Sequence, residues 1–347
     1  MNRLRIRRMK KKKAYAGAGV DVDLANKLKR GITALVRQTH GPQVLGNIGG
    51  FGGLFRASFP GMREPVLVAS VDGVGTKLKI AFAMDKHDTV GADLVNHCVN
   101  DIAVLGARPL FFLDYIGCER LEPRVFQQLL RGFSRACRDA GCALLGGETA
   151  QMPGVYRKGE YDLAGCIVGV VERNKIVDGR TIRPGDVILG LASNGLHTNG
   201  YSLARKILLE KMRLKPSSRL PSSTITVGEE LLRVHKNYQP LLAKIPAGVI
   251  KGLAHITGGG LIDNLPRILP PNCDAVIETK NWRVPHIFQM LQKNGNVDRE
   301  EMYQVFNMGI GMVAIVAEPN AKRAVSILRA KRIGRIEPGS GRTVLKF

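Results

Sequence analysis

Short apolar runs alternate with helical patterns along most of this chain, and that alternation limits the folds it can adopt. The runs "PVLVASV" at 65–71, "LFFLDYI" at 110–116 and "YDLAGCIVGVVE" at 161–172 are typical of buried strands. The segments at 122–141, "EPRVFQQLLRGFSRACRDAG", and around 228–245, "GEELLRVHKNYQPLLAKI", are typical of helices. Strands separated by helices indicate layered α and β structure and exclude a helical bundle or a β-sandwich.

The chain length of 347 residues exceeds what one ordinary hydrophobic core fills, so we predict two domains. A second series of strands and helices begins at 186–193, "DVILGLAS", after the polar, turn-rich connector at 174–186. We therefore predict an α+β chain with an N-terminal α/β domain over 14–172 and a C-terminal α/β sandwich domain over 173–347.

The net charge of +23 is strongly basic, and part of it is concentrated at the start of the chain. The first thirteen residues, "MNRLRIRRMKKKK", carry eight positive charges and no acid, which leaves +15 for the rest. We predict that residues 1–13 form a disordered tail. A basic body favours anionic partners, which include nucleotides, sugar phosphates and nucleic acid.

Cysteine usage and hydropathy suggest where the protein works. No apolar stretch approaches the ~20 residues of a membrane-spanning helix, and the first residues lack the apolar segment of a secretory signal. None of the six cysteines forms a C-x-x-C pair, which gives a zinc site little support. Several cysteines lie in apolar runs, as buried thiols do in a reducing compartment. We expect a cytoplasmic protein with no membrane partner.

The stretch "SVDGVGTKLKIA" at 70–81 combines glycines, a threonine and a lysine directly after a strand. Its spacing fits neither a Walker A loop nor a Rossmann fingerprint, and a plain strand-ending turn would explain the glycines. A carboxylate at the end of a buried strand is nevertheless costly unless a cation or donors meet it. We predict that Asp72 binds a metal and that Lys77 contacts a phosphate. Neighbouring candidates for phosphate binding are Gly73, Gly75 and Thr76.

The segment "DTVGADLVNHCVNDIAVLGARP" at 88–109 has apolar residues at helical spacing on one side. The opposite side carries short polar groups, namely Asp93, His97, Asn100 and Asp101. An exposed helix face would also accept such residues. Because magnesium prefers oxygen ligands from one or two carboxylates, we predict that Asp93 and Asp101 join Asp72 in a metal site.

Three further glycine-containing segments, "LLGGETAQMPGVY", "SNGLHTNGYSLARK" and "HITGGGLIDNL", follow predicted strands and could bring backbone N–H groups to phosphates. Close packing or turn formation would explain the same glycines. His197 is a candidate catalytic residue together with Asp72 and Lys77, although a histidine beside such a loop is often structural. The predicted phosphate- or nucleotide-binding residues here are Gly146, Gly147, Glu148, Ser193, Asn194, His197, Asn199, Thr257, Gly258, Gly259 and Gly260.

Several function classes find no support in the sequence. It has no arrangement that we can assign as a Ser-His-Asp triad, no nucleophilic cysteine context and no H-E-x-x-H motif. A single tryptophan and the lack of an RNP-like motif make nucleic-acid binding an improbable role despite the basic charge.

Several of these segments occur together, in order and spacing, in one enzyme family. The strings "VDGVGTK", "GADLVNHCVNDIAVLGARPLFFLDYI", "LLGGETAQMPGVY", "SNGLHTNGYSLARKIL" and "HITGGGLIDNLPRILP" resemble the phosphoribosylformylglycinamidine cyclo-ligase family. The resemblance extends from about residue 18 to about residue 317. The long strings around 100–116 and 146–156 distinguish that family from its relatives, which include selenophosphate synthetase and thiamine-phosphate kinase.

The resemblance implies an ATP-dependent closure of an imidazole ring in purine biosynthesis, with formylglycinamidine ribonucleotide and ATP as substrates. It implies magnesium, and a homodimer whose N-terminal sheets join into a β-barrel. The positions that match the family's motifs are Asp72, Lys77, Asp93, Asn100, Asp101 and Glu148. Departures from the family's usual first motif occur at Ala16, Gly17 and Thr33.

Two alternatives stay open at this point. One is another ATP-dependent kinase or ligase of the same superfamily, which would use a different acceptor. The other is a basic RNA- or DNA-binding protein with a retired active site, which would bind nucleic acid in a salt-sensitive way. Because the acids and the glycine-rich loops are all present, loss of the enzymatic activity is disfavoured.

Overall fold

The structure is a computed structural model that describes residues 14–46, 48 and 50–347. The tail predicted for residues 1–13 lies outside the described residues. The helices are α1 Ala14–Gly17, α2 Val22–Gly31, α3 Thr33–Arg37, α4 Leu78–Met84, α5 Asp88–Ala103, α6 Pro123–Ala140, α7 Tyr201–Arg205, α8 Val227–Leu231, α9 Gln239–Leu242, α10 Gly260–Asn264, α11 His286–Gly295, α12 Arg299–Val305 and α13 Glu318–Leu328. The strands are β1 Val44–Leu45, β2 Leu54–Phe55, β3 Pro65–Gly73, β4 Arg108–Cys118, β5 Ala143–Gln151, β6 Tyr161–Glu172, β7 Val187–Ala192, β8 Ile250–His255, β9 Cys273–Glu278, β10 Ile310–Val316, β11 Lys331–Pro338 and β12 Thr343–Lys346.

The first large sheet is mixed and has the strand order β3-β6-β4-β5. Strand β6 pairs antiparallel with β3 and β4, and β4 pairs parallel with β5. Helices α5 and α6 pack together on one face, and Gly132 lets them approach because a Cβ there would lie 2.2 Å from the Asp88 carbonyl oxygen. The register places Asp72, Gly165 and Asp114 side by side across β3, β6 and β4.

At the β3 edge, the other face of this sheet carries apolar side chains that are largely exposed. On the edge strand β3, Leu67 is 62% exposed and Val71 is 69% exposed. Their cross-strand neighbours on β6 are Val170 and Cys166. The described residues contain no closed barrel, so the predicted barrel is not a property of one chain.

The second large sheet has the order β12-β9-β11-β7-β10-β8 and is antiparallel except for the β12–β9 pair. All seven residues of β10 are buried, because helices cover both faces of the sheet. Leu189 and Leu191 face the cluster that contains α13, whereas Ile188 faces the larger core. The α/β layering predicted for this half is confirmed, and the predicted boundary at 172/173 falls between the two sheets and stays a prediction.

One predicted helix is wrong. The sequence "GEELLRVHKNYQPLLAKI" at 228–245 suggested a continuous helix, but α8 ends at Leu231 and α9 begins at Gln239. The residues between them, 232–238, have no regular secondary structure, and side chains of α5 and its neighbours bind their backbone groups; we refer to 232–238 as the extended segment. Asn96 Nδ2 donates to the His235 carbonyl oxygen at 2.7 Å, and Asn100 Nδ2 donates to that of Lys236 at 2.8 Å. These tertiary hydrogen bonds replace the helical ones.

The polar contacts between α5 and the extended segment join the two halves of the molecule. The hydrophobic clusters also continue from the first half into the second. No helix in the described ranges is long and apolar enough to cross a bilayer. The two sheets are thereby held so that the ends of β3 and β8 face one another, and a cleft lies between them.

Candidate active site

A cleft of about 580 Å³ lies between the two halves of the molecule. The C-terminal end of β3 and the start of β6 form one wall, and two loops that follow β7 and β8 form the other. Its lining residues are Asp72, Gly73, Val74, Gly75, His97, Asp162, Leu163, Ala164, Thr198, Asn199, Thr257, Gly258 and Arg267.

Two carboxylates converge on His97 at the floor of the cleft: Asp72 lines the cleft together with His97, and Asp101 lies next to them outside its lining. The Nε2 atom of His97 lies 2.8 Å from Asp72 Oδ2 and 3.8 Å from Asp101 Oδ2. His97 and Asp101 are four residues apart on α5, so they share one helix face. The side chains of Asp72 and Asp101 keep 41% and 24% exposure, and Ser70 Oγ donates to Asp101 Oδ2 at 3.2 Å. Both acids therefore retain oxygens that face solvent.

The pKa values of this pair reflect their mutual contact. Burial raises the pKa of Asp72, but the His97 hydrogen bond and charge outweigh it and hold the pKa below its usual value. Burial lowers the pKa of His97, yet the hydrogen bond to Asp72 and the charges of Asp101 and Asp72 raise it above its usual value. The floor of the cleft thus favours an imidazolium at His97 beside the ionised Asp72 carboxylate.

A continuous series of hydrogen bonds runs beneath these groups from Asp101 to His97. His255 Nδ1 lies 2.8 Å from Asp101 Oδ1, and its Nε2 lies 2.9 Å from His235 Nε2. The Nδ1 atom of His235 is 3.2 Å from Thr198 Oγ1, which is 2.8 Å from His97 Nδ1. The loop after β7, the extended segment and strand β8 supply these partners, so the series fixes the imidazole orientations across both halves.

Lys77 does not contact the cleft, which corrects its predicted role as a phosphate ligand and catalytic residue. Its side chain has no exposed surface. Its Nζ donates to the carbonyl oxygens of Arg233 at 2.7 Å and His197 at 3.0 Å, and it lies 2.8 Å from Asp93 Oδ2. Two carbonyl oxygens and one carboxylate oxygen thus surround the ammonium group, whose three donors match three acceptors in number.

Asp93 is likewise enclosed, which corrects its predicted role as a metal ligand. Its second oxygen, Oδ1, accepts from the backbone N–H of His235 at 2.6 Å. Burial lowers the pKa of Lys77 and raises that of Asp93, while the contact between them opposes both shifts. We assign the pair as ionised because Lys77 has three acceptors around its nitrogen.

The polar face of α5 is therefore divided between two tasks. Asn100, which matches a family motif position, binds the extended segment through both ends of its amide: its Oδ1 accepts from Tyr238 N at 2.9 Å. Asp93 and Asn96 bind the same segment. His97 and Asp101 face the cleft side.

The predicted candidate His197 is buried, with 1% exposure, and it does not line the cleft. Its ring stacks on His235 with a centroid distance of 4.0 Å and a tilt of 21°. Its backbone has a φ of 61°, a value uncommon for a residue other than glycine. Burial and neighbouring positive charges lower its pKa well below the usual value.

The glycine-rich loops of the second half reach the cleft only in part. Thr257 and Gly258 line it, as does Asn199. Gly259 and Gly260 are needed for another reason: they have φ values of 94° and 57°, and a Cβ at Gly260 would lie 2.0 Å from the Tyr303 carbonyl oxygen. The packing explanation thus holds for the last two glycines of the run.

Ser193 and Asn194 are directed away from the cleft. Ser193 Oγ donates to Asn307 Oδ1 at 2.8 Å, and Asn194 Nδ2 donates to the Val234 carbonyl oxygen at 2.7 Å. Neither residue lines the cleft. Both tie the end of β7 to neighbouring loops.

Gly146, Gly147 and Glu148 lie far across the first sheet. Gly147 belongs to the same register row as Asp72, but it is three strands away, about 14 Å at the usual strand spacing. Glu148 pairs with Tyr115 in the next row and points to the opposite face. These three residues do not join the cleft of the same chain.

The structure also brings in residues that sequence reasoning missed. Arg267 and Asp162 line the cleft, and Arg267 adds a cation to the wall opposite Asp72. His97 could have been found from its spacing of four residues to Asp101. For Arg267 and His235 the sequence carried no signal, since distant segments position them.

Thr76, one of the predicted phosphate ligands, connects the two halves of the molecule. Its Oγ1 atom lies 3.2 Å from the Oγ atom of Ser202.

Comparison with known proteins covers both halves of the chain. Residues 61–171 match the family model "AIR synthase related protein, N-terminal domain", and residues 183–346 match the corresponding C-terminal domain. A phosphoribosylformylglycinamidine cyclo-ligase from Syntrophotalea carbinolica is 54% identical over 87% of each chain. Proteins of the same name from an Anaeromyxobacter species and from Bacillus cereus are 51% and 49% identical, over 93% of this chain and 95% of theirs.

Solved structures with much lower identity share the fold. The hydrogenase maturation protein HypE in complex with ATP aligns with a TM-score of 0.67 at 19% identity, over 95% of this chain and 93% of that one. Thiamine-monophosphate kinase from Stenotrophomonas maltophilia aligns with a TM-score of 0.66 at 17% identity, over 94% and 96%. At these identities the likeness extends to the fold alone.

Proposed function

The chain belongs to the phosphoribosylformylglycinamidine cyclo-ligase family, and from this premise we propose how its cleft closes an imidazole ring with the energy of ATP. The reaction converts formylglycinamidine ribonucleotide to aminoimidazole ribonucleotide, ADP and phosphate in purine biosynthesis. Relatives of about half identical sequence over nearly the whole chain support this reaction over that of another ATP-dependent kinase or ligase.

The chemistry has two steps. The formamide oxygen attacks the γ-phosphorus of ATP. The bond between this phosphorus and the oxygen that bridges it to the β-phosphate breaks, and ADP is released. The amine nitrogen then attacks the activated carbon, whose C–O bond breaks as inorganic phosphate leaves. A proton lost from nitrogen completes the ring, and no covalent enzyme intermediate is needed.

The observation that carries this proposal is the composition of the cleft wall. Asp72 supplies a partly exposed carboxylate on one side, with the partly exposed Asp101 next to it beyond His97, and Arg267 supplies a cation on the other side. Thr257 and Gly258 add a hydroxyl and an open backbone. Phosphoryl transfer requires positioning and charge stabilisation, which such a wall offers, and it requires no nucleophilic side chain.

Magnesium fits the donors at the floor of this cleft. Asp72 and Asp101 would hold the ion, since their oxygens converge near His97 and keep solvent-facing lone pairs. Bound there, the ion would neutralise charge on the phosphate oxygens. Asp93 is outside this set, because both its oxygens are committed to Lys77 and His235.

His97 holds the metal-binding acids in position in this proposal. Its Nε2 bond fixes Asp72, and its Nδ1 contact with Thr198 fixes the ring. His255 fixes Asp101 from the other side. The acids thus enter the reaction already oriented, which lowers the entropic part of the barrier.

A direct assay tests the proposal. Purified protein is incubated with formylglycinamidine ribonucleotide, ATP and magnesium, and aminoimidazole ribonucleotide and ADP are quantified. We expect the two products in equal amounts. Folded protein that cleaves ATP without forming the imidazole, or that forms neither product under saturating substrate, would exclude the assignment.

We also propose a homodimer formed through the open face of the first sheet. The exposed apolar residues Leu67 and Val71 support it, because an edge strand with such residues tends to pair or pack. Light scattering of the wild type should give twice the chain mass, and Val71→Glu should give one chain mass with the helical content unchanged. If the Val71→Glu variant is still a dimer, the interface lies on another surface.

We propose that the reaction occurs in the cytoplasm. All six cysteines are free thiols, which suits a reducing compartment. Fractionation of the source cells with an antibody to this chain tests the location, and enrichment in an oxidising compartment would contradict it.

A further inference from the structure

A second cavity lies between the two halves of the molecule, and it shares no lining residue with the cleft. Its volume is about 210 Å³. The end of α5 and the connector form one wall, and the segment from α9 to β8 forms the other. Three stretches of the chain therefore meet there, within 103–108, 175–177 and 239–253.

Most of the surface of this second cavity is apolar. Leu253 on β8 is buried, and Leu242, Ile245 and Ile250 line the cavity beside it. All four belong to, or pack against, the hydrophobic cluster that contains α13. Sites for drug-sized ligands measure about 300–1,000 Å³, so this one suits a smaller molecule. An apolar group of that size would leave water on entering, which favours binding.

Two cations and one amide complete the lining, which contains no acid. Arg108 and Lys175 are exposed, and within the part of the chain that the structure describes neither has an ion-pair partner. The Arg108 guanidinium lies 5.9 Å from the centre of the Phe59 ring, a contact that uses its face and leaves its N–H donors to solvent. Gln239 adds an amide from the opposite wall.

Glu172 is an acid whose charge interacts with that of Lys175, but its carboxylate is bound elsewhere. Its oxygens accept from the backbone N–H groups of Arg63 at 2.7 Å and Glu64 at 2.9 Å. These backbone hydrogen bonds hold the pKa of Glu172 below its usual value, and the charge of Lys175 contributes less. The positive charge at the cavity is therefore left for a ligand.

The carboxyl end of α5 would repel an anion if its last carbonyl groups were free. Ala103 O accepts from Gly106 N at 2.9 Å, and Ile102 O accepts from Leu105 N at 3.1 Å. Gly106 has a φ of 80°, the left-handed conformation with which many helices end. Because these carbonyl groups are bonded, the two cations determine the sign of the charge at this wall.

An apolar wall next to unpaired cations fits one class of occupant, a small organic anion. A neutral apolar molecule would leave both cations unused, and an inorganic anion would leave the apolar wall in water. The first thirteen residues of the chain carry eight positive charges and no acid, so their charge opposes entry.

We propose that this second cavity binds a small organic anion, with its apolar body against Leu253 and its carboxylate or phosphate at Arg108 and Lys175. The site is separate from the cleft and does not depend on the proposed function. A bound molecule would contact both halves and hold them together. The same two elements, α5 and β8, also carry Asp101 and His255, which meet at 2.8 Å beside the cleft.

Three probes that share one apolar body test the proposal on the purified full-length chain: 2-naphthoate, 2-naphthyl phosphate and the neutral 2-naphthylmethanol. In ligand-observed NMR titrations at least one of the two anions should bind saturably, with a Kd below about 1 mM. The alcohol should bind at least about 10-fold more weakly, because it lacks charge-assisted hydrogen bonds. The tighter anion identifies the preferred anionic group. Its binding should also raise the melting temperature.

Variants at exposed positions assign the site. Arg108→Gln and Lys175→Gln should each weaken binding of the anion about 10-fold and leave that of the alcohol unchanged. Ala247→Trp should abolish binding of all three probes, because the larger side chain fills the cavity. Lys244→Gln is the matched control, since it removes an exposed cation outside the lining and should change nothing. Circular dichroism confirms that each variant is folded, and Lys175→Gln keeps the test valid if another is not.

Three results would overturn the proposal. The first is no saturable binding of either anion to the wild type. The second is equal affinity for the alcohol and the anions, which would leave the cations without a role. The third is binding of the anion that survives in folded Ala247→Trp; if Arg267→Gln then abolishes it, the probe occupies the cleft instead.

Discussion

Two acid–cation pairs in this molecule come from the same two sequence motifs and have different surroundings. Asp72 and His97 meet at 2.8 Å at the floor of the cleft, where Asp72 keeps 41% exposure. Lys77 and Asp93 also meet at 2.8 Å, but neither has exposed surface. Asp72 and Lys77 are five residues apart, and Asp93 and His97 are four residues apart.

The difference shows what separates a reactive pair from a structural one. Lys77 Nζ and Asp93 Oδ1 meet backbone groups of the second half, and Asp93 Oδ2 lies against Lys77 Nζ, so the pair is enclosed and offers no exposed atom to a ligand. Around Asp72 the acid still has lone pairs that face solvent. A motif therefore identifies residues that matter, while the remaining bonding capacity decides which of them can bind substrate.

The largest effect should follow from breaking the buried pair. Lys77→Met leaves Asp93 as an uncompensated buried charge, and we expect a loss of about 3–5 kcal/mol in the free energy of unfolding. Urea denaturation measures it. Lys79→Met is the control, since its pair with Glu160 is partly exposed and should contribute about 0–1 kcal/mol. Equal losses in the two variants would contradict the structural role of Lys77.

Substitutions in the cleft should lower activity far more than they lower stability. Asp72→Asn and Asp101→Asn remove charge where phosphates bind, so we expect turnover to fall about 10²–10³-fold. The melting temperature should change by only a few degrees, because about 1 kcal/mol shifts it by about 2–4 °C in a chain of this size. Steady-state kinetics and thermal melts on the same samples check both.

The control for these variants is Asp139→Asn, an exposed acid on α6 outside the cleft. It should leave both quantities unchanged. A large drop in melting temperature with activity retained in Asp72→Asn would reverse the comparison and make Asp72 the structural member.

Much of the fold could be predicted from the sequence, because hydrophobic periodicity and strand composition are local signals. The strands around "PVLVASV", "LFFLDYI" and "YDLAGCIVGVVE" and the helix at 123–140 formed as predicted. The helix expected across 228–245 did not, since local propensity yielded to tertiary hydrogen bonds from Asn96 and Asn100. No single-segment pattern contains that information.

The candidate site could be predicted in outline only. The acids Asp72 and Asp101 were identified from strand-end placement and helical spacing; Asp72 lines the cleft, and Asp101 lies next to it beyond His97. The spacing on α5 could not tell which polar residues face the cleft and which bind the extended segment, because that segment comes from more than 130 residues away. Arg267 was missed for the same reason.

The smallest expected effect concerns a third acid, Asp114, which can be compared directly with Asp72. Asp114 lies in the register row of Asp72, with Gly165 between them, but no histidine meets it. Burial raises the pKa of Asp114 to about 7, and the charge of Glu148 adds to the shift. The same row therefore holds one carboxylate whose pKa is lowered and one whose pKa is raised: Asp72 is more exposed and has a histidine partner, whereas Asp114 is more deeply buried and has none.

The folded state keeps the proton on Asp114 between about pH 4 and 7, whereas the unfolded chain releases it. Stability should consequently fall as pH rises through that window and level off above about pH 7. Asp114→Asn should remove this slope and gain about 2 kcal/mol at pH 8, with little change at pH 4. Urea denaturation at a series of pH values measures it, with Asp139→Asn as control. An unchanged slope in Asp114→Asn would mean that Asp114 titrates normally, and that the paired histidine does not distinguish the two acids.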